Sequence, residues 1–161
     1  MKNISKTLDI RLIEKKDKLD VINIMKCLSD FFSPETIEYA EEIINNLWWF
    51  VAIEKNVIIW FIVYDIINKT SAKIYRMGVL PEFQNQWIWW NLLEHTEKAL
   101  IERWIKEVNL LTLDEHPDYP WYKLTRKFYV KHNFVIVDSY VDEDVKILNM
   151  NKKLNKHKTN K

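Results

Sequence analysis

One stretch of the chain carries residue types whose order fits a binding chemistry. In Val79-Leu80-Pro81-Glu82-Phe83-Gln84-Asn85-Gln86-Trp87-Ile88-Trp89-Trp90-Asn91-Leu92-Leu93 a strand pattern ends, a polar loop turns and a helical pattern begins. A helix start exposes unpaired N–H groups and the positive end of the dipole, which makes it a natural anion site. Phosphate-binding versions place glycine there, because the backbone must come close to the phosphate oxygens. Here Trp87, Trp89 and Trp90 occupy those places. On the residues alone, the commoner arrangement is a plain strand–helix connection with a buried aromatic cluster. Other chemistry-bearing residues are scattered. His95, His116, His132 and His157 show no ligand spacing, so no metal is expected, and the single Cys27 allows no internal disulfide.

The elements that must position this stretch follow from periodicity and punctuation. Asp9 to Glu14 reads as a first strand. Leu19, Ile22, Ile24, Met25 and Leu28 give a helix to about Asp30. Ser33 as N-cap and Pro34 in the first turn start a second helix, whose apolar face is Ile37, Ala40, Ile43, Ile44 and Leu47. Phe50 to Ile53, Val57 to Ile67 and Ala72 to Leu80 are strands joined by short turns, an antiparallel meander. A helix from about Ile88 to Arg103 directs Leu92, Leu93, Thr96, Leu100 and Ile101 inward. The strand Val108 to Leu113 follows it, which implies a parallel pair with a right-handed crossover. Asp114 to Pro120 is an acidic loop. Tyr122 to His132 is a helix anchored by Leu124, Phe128 and Tyr129, and Phe134–Tyr140 with Val145–Met150 is a final hairpin. One domain over 1–151 is expected, with 152–161 a basic, disordered tail.

The composition bounds the function. The chain has 161 residues, with 24 Lys and Arg against 23 Asp and Glu. This near-neutral balance argues for neither a nucleic-acid nor a membrane partner. No apolar run is long enough to span a bilayer, and no signal-like stretch follows Met1, so a cytoplasmic location is expected. One feature departs from any ordinary balance: a single glycine, Gly78, stands beside eight tryptophans. Average usage would supply roughly eleven glycines. A chain poor in Ala and Arg and rich in Lys, Ile and Asn suggests an A/T-rich gene, which lowers glycine but does not raise tryptophan.

The order of elements and two local signatures resemble the GNAT superfamily of acyl-CoA N-acyltransferases. Gln84-Asn85-Gln86-Trp87-Ile88-Trp89 is similar to the family's central motif, a Gln or Arg, two residues, Gly, one residue, and Gly or Ala, with both glycines replaced by tryptophan. Met77-Gly78-Val79-Leu80-Pro81 is similar to the end of the family's fourth strand. Phe128-Tyr129-Val130-Lys131-His132-Asn133-Phe134 is similar to its second signature, with Asn133 in place of glycine; Asn tolerates the left-handed backbone of a helix C-cap. The resemblance implies an α/β fold with a mixed central sheet of about seven strands flanked by about four helices. It also implies transfer of an acetyl group from acetyl-CoA to a primary amine of a small molecule or peptide, by direct attack and without a metal, in a monomer or homodimer.

The site residues come with the resemblance. Gln84 and Asn85 would belong to the coenzyme site, and backbone amides of Gln86, Trp87, Ile88, Trp89 and Trp90 would hold the pyrophosphate. The open edge of Met77, Gly78 and Val79 would pair with the pantetheine arm as an added strand does. Tyr129 would be the acid that protonates the leaving sulfur; the plain alternative is a semi-buried helix tyrosine. Tyr122 departs from the pattern, since the family often has Asn there contacting pantetheine. Asp114, Glu115 and His116 are candidate bases, with Glu54 and Tyr75 acting through water as alternatives. The acceptor pocket would draw on Phe31-Phe32, the loop 114–119 and the final hairpin.

Placed on this fold, the tryptophans fall into a pattern. Trp60, Trp87, Trp89, Trp104 and Trp121 stand where glycine has a physical reason to be, and Trp48, Trp49 and Trp90 are compatible with it. The expectation is an alternative genetic code, with the codon written here as Trp read as Gly by the source organism. Genuine tryptophans would instead imply a catalytically impaired GNAT fold. A tryptophan-rich module stacking on bases or sugars is the rival class, although no basic stripe lies outside the tail.

Overall fold

The structure is a computed structural model that describes residues 8–83 and 86–155, apart from the side chains of Gln86 and Trp87. The strands are β1 (Asp9–Leu12), β2 (Trp48–Glu54), β3 (Val57–Ile66), β4 (Ser71–Val79), β5 (Glu107–Leu113), β6 (Val135–Asp142) and β7 (Val145–Lys153). The helices are α1 (Lys18–Cys27), α2 (Pro34–Ile43), α3 (Gln86–Glu102) and α4 (Tyr122–Lys131). The seven strands form one sheet in the order β1-β2-β3-β4-β5-β7-β6. β4 and β5 are parallel, as the crossover through α3 requires, while β1–β2, β2–β3, β5–β7 and β6–β7 are antiparallel. This is the expected mixed α/β sheet. By its contacts the chain divides into two compact units, residues 1–65 with 76–98 and residues 66–75 with 99–161. The division passes through β3, β4 and α3.

The first unit is built on a dry aromatic and aliphatic core. Trp49, Ile59, Trp60, Phe61, Ile62 and Tyr64 are fully buried, as are Val21 and Met25 of α1 and Ile88, Leu92 and Leu93 of α3. Ser33 caps α2 as expected, its hydroxyl accepting the Thr36 N–H at 3.3 Å, and Pro34 opens the helix. β1 stops at Leu12 rather than Glu14, because Glu14 enters the next turn and its N–H donates to Asp17 Oδ2 at 2.7 Å. Two other expectations shift. Leu19 is exposed and Val21 takes its place on the buried face of α1. α2 ends at Ile43, with only Ala40 and the cap residue Ile44 of its apolar face fully buried.

The second unit packs Ala72, Ile74, Leu100, Val108, Leu110, Leu148 and Met150 with Tyr129 and Phe134. Tyr129 and Phe134 meet edge to face at 5.4 Å. Leu124, expected as an anchor of α4, is exposed, while Phe128 is half-buried. The ordered chain also continues past the expected boundary at residue 151. β7 runs to Lys153, whose ammonium pairs with Glu107, and the buried Leu154 donates its N–H to the Lys106 carbonyl at 2.7 Å. The backbone ladder to β5 holds this polar end in place. Residues 156–161, the remainder of that tail with His157, lie outside the described residues.

The chain makes its reversals almost without glycine. Lys55 and Asn56, and likewise Glu143 and Asp144, have φ of 51°, 65°, 43° and 69°. Two consecutive left-handed residues are what a two-residue hairpin loop requires, usually met by Asn-Gly. At the β3–β4 reversal, Asn68 Oδ1 accepts the N–H groups of Thr70 and Ser71 at 2.9 and 3.0 Å, a side chain standing in for a turn's backbone.

Candidate acyl-CoA and catalytic site

In the first unit the fourth strand and third helix form the local arrangement anticipated from sequence. The ladder of β4 with β5 covers Ser71–Ile74, while β4 itself runs on to Val79, so its last five residues lie beyond that ladder. Gly78 is buried there against Phe61 and Leu28; a Cβ on it would stand 2.6 Å from Phe61 Cε1. Only glycine fits that approach without moving the ring. Val79 is buried and Met77 half-buried, so backbone, rather than side chain, is what β4 offers to a ligand. Pro81–Phe83 form a single 3-10 turn, closed by Phe83 N–H to Leu80 C=O at 2.9 Å, and α3 opens at Gln86.

The expected coenzyme-binding residues of the loop and helix start divide by position. Gln84 and Asn85 lie outside the described residues. Gln86 and Trp87 contribute the first backbone of α3. Ile88 is fully buried, so its part in any site is confined to its backbone. Trp89 meets Trp60 edge-on at 6.4 Å, and Trp90 is exposed. Buried among strands, Trp49 and Trp60 are core residues and cannot stack on a base or sugar; their indole Nε1–H groups have no hydrogen-bond partner.

In the second unit Tyr129 lies on the buried face of α4. Burial pushes its phenol well above the ordinary tyrosine range, with Tyr122 adding to the shift, so it holds its proton. Three residues earlier Arg126 shares that helix face and donates from Nη1 to the Leu113 carbonyl at 2.8 Å, with Glu115 at 3.6 Å from Nη2. Arg126 thereby ties α4 to the end of β5 and to the acidic loop. The sequence alone assigns Arg126 no role in the site, though its i,i+3 spacing to Tyr129 is available there. His132 caps α4, and Asn133 follows with φ of 65°, the left-handed residue anticipated there.

The candidate bases are not equivalent. Asp114 is held below the usual carboxylate range, first by the Glu115 N–H at 2.8 Å and then by Lys146 at 3.1 Å. A carboxylate so satisfied is a weak base. His116 Nδ1 accepts the Asp118 N–H at 3.2 Å, and its ring lies 5.2 Å from Tyr119. Glu115 is exposed. Glu54 is buried at the end of β2, and Tyr75 lies under the Lys73 ammonium at 5.2 Å. Among the described residues no group of ligands suited to a metal ion occurs.

No family model and no curated protein matches the chain. Solved structures do. The PaiA N-acetyltransferase of Thermoplasma acidophilum, in complex with coenzyme A, aligns over 91% of this chain and 99% of its own at 22% identity, with a TM-score of 0.72. The aminoglycoside 6'-N-acetyltransferase of Enterococcus faecium aligns over 92% and 98% at 15% identity, TM-score 0.75. A GNAT family acetyltransferase from Elizabethkingia anophelis, with acetyl-CoA bound, aligns over 93% and 100% at 15% identity, TM-score 0.74. Strand order, element order and these alignments agree: the chain has the fold of the GNAT acetyltransferases.

Proposed function

We propose that the protein is an N-acetyltransferase that moves an acetyl group from acetyl-CoA to a primary amine of a small molecule or peptide in the cytoplasm. The observation that carries this reading is local to the first unit: β4 extends five residues beyond its ladder and leads, through one tight turn, into the start of a 17-residue helix. Backbone groups of Met77 to Val79 are the partners for the pantetheine amides, and the first amides of α3 the partners for the pyrophosphate. The neutral amine attacks the thioester carbonyl carbon and the C–S bond breaks. Tyr129 gives its proton to the departing thiolate, while a base takes the proton lost by the amine. A phenol raised by burial is protonated at neutral pH, as a donor must be. Tyr129→Phe is expected to lower kcat by about 10²- to 10⁴-fold with little change in KM for acetyl-CoA. A variant of undiminished kcat removes Tyr129 from the mechanism, and absence of any thermal stabilisation by acetyl-CoA overturns the reading as a whole.

The codons written as tryptophan are proposed to specify glycine in the source organism. Trp104 has φ of 66°, where a bulky side chain is strained and glycine is not. Trp49 and Trp60 bury indole N–H groups with no partner, at a cost of about 1–3 kcal/mol each. Mass spectrometry of peptides from the native protein decides the matter: glycine is expected at 87 and 89, and tryptophan there overturns it. With tryptophan retained, the Trp60–Trp89 contact favours a second reading, a GNAT-fold binding protein with impaired coenzyme binding. On that reading the chain made with eight tryptophans should show little thermal stabilisation by acetyl-CoA, and less than the chain made with eight glycines.

A further inference from the structure

The second unit sets a row of polar side chains beside a groove. Residues paired across a ladder share a face, and every second residue along a strand returns to it. Asn151 pairs with Asn109 on one side and Val135 on the other; two residues along, Lys153 pairs with Glu107. The groove, of about 550 Å³, is lined by Val135, Val137, Asn133, Asn151, Glu107 and Lys153. It lies where β5 begins and β7 ends, at the other end of these strands from the loop 114–119 and the hairpin turn at Glu143 and Asp144. None of the six is a tryptophan, so the lining is the same whichever residue those codons specify.

Its chemistry is an ion pair, an amide and an apolar wall. Ser71 donates its hydroxyl to Glu107 Oε1 at 2.7 Å, and the Lys153 ammonium reaches Oε2. The Lys153 side chain is 72% exposed, so it can leave Glu107 at little cost. Asn151 is only 8% exposed. Its Nδ2 donates to Asn109 Oδ1 at 2.8 Å, and among the described residues its own Oδ1 accepts from none. An enclosed amide oxygen of this kind marks a place for an N–H donor. Val135 and Val137 stand 59% and 55% exposed beside it.

We propose that this groove binds a free aliphatic α-amino acid as its zwitterion. The α-ammonium replaces Lys153 on Glu107 and donates a second hydrogen bond to Asn151 Oδ1. The α-carboxylate accepts from the displaced Lys153 ammonium, and the aliphatic side chain covers Val135 and Val137. Charge selects this class of ligand. A simple amine competes with Lys153 for one carboxylate and leaves that ammonium unpaired. A simple acid competes with Glu107 for one ammonium and leaves that carboxylate unpaired. A zwitterion exchanges one ion pair for two and keeps the groove neutral. The inference is independent of acetyl transfer.

Isothermal titration calorimetry of the full chain with L-leucine is expected to give one site with a Kd of about 1 mM or tighter. Isocaproate, which lacks the ammonium, and isoamylamine, which lacks the carboxylate, should each bind about tenfold more weakly or worse. Glu107→Gln and Lys153→Met should each weaken leucine binding about tenfold or more. Lys153 is mostly exposed, so Lys153→Met keeps the fold and decides the matter if Glu107→Gln does not. No heat from leucine up to about 10 mM overturns the proposal. So does isoamylamine binding as tightly as leucine, which makes the groove a plain cation site. Leucine binding unchanged by Lys153→Met also overturns it, by placing the amino acid elsewhere.

Discussion

The two compact units place their tryptophans in different surroundings. The first holds Trp48, Trp49, Trp60, Trp87, Trp89 and Trp90, and two of these fill its core. The second holds Trp104 and Trp121, both at points where the chain leaves or enters a helix; Trp104 is 70% exposed. Trp60 therefore occupies volume in the first unit and Trp104 a left-handed backbone conformation in the second, whereas Trp121, with φ of −66°, carries no such strain. Exchange for glycine has opposite consequences at the first two: a void at Trp60, relief of strain at Trp104.

The largest expected effect lies in the first unit. Trp60→Gly in the chain as written should cost about 3–5 kcal/mol, read from the urea midpoint, because the emptied core cannot close fully around the site. A neutral result breaks the comparison, for it means that Trp60 is not packed as described. Next comes Asp17, buried and gripped by Arg11 at 2.6 and 3.1 Å, which holds its carboxyl below the usual range. Asp17→Ala should cost about 2–3 kcal/mol, since it removes the bidentate partner of Arg11 and leaves the guanidinium only the longer pair with Glu14 at 3.4 Å. The depressed pKa fixes the sign with pH. This contribution is present above the unfolded value near 4 and is lost as pH falls through the lower folded value. Glu107 in the second unit is also lowered, by Lys153 and Ser71, but Lys153 is largely exposed, so acid unfolding should follow Asp17 more closely than Glu107. Removing each carboxylate in turn and following stability between pH 5 and 2 separates the two. Gly78→Ala should cost about 1–3 kcal/mol, by pressing a methyl against Phe61. The smallest effect has the opposite sign: Trp104→Gly should stabilise by about 1 kcal/mol, because φ of 66° suits glycine and the residue is 70% exposed. Destabilisation there removes the distinction between the units.

Much of the fold was legible because caps, turns and alternation are local. Ser33-Pro34 marked the start of α2, and the apolar run 57–67 marked β3 within a residue. What failed depends on non-local partners. Leu19 and Val21 both suit an amphipathic pattern, and only the sheet beneath α1 decides which is buried. Lys152 and Lys153 read as a solvated tail, yet backbone pairing to Glu107 and Val108 makes them strand. Val135-Ile136-Val137 reads as a core strand; nothing in its sequence says that it lies at an edge. In the candidate site, the strand–turn–helix around Gly78 could be found by resemblance, and the role of Tyr129 is a proposal that rests on the same resemblance. The bracing of Asp114 by Lys146 could not, because it joins residues far apart in the chain.

The contact between Trp60 and Trp89 also has an optical consequence. Two indoles 6.4 Å apart and tilted by 67° couple their electronic transitions, so the chain as written should show a split circular-dichroism band and a tryptophan emission partly quenched by its neighbour. If those codons specify glycine, the couplet vanishes. With all eight exchanged, the protein emits through its seven tyrosines alone, and a fluorescence spectrum of native material distinguishes the two chemical identities before any peptide is sequenced.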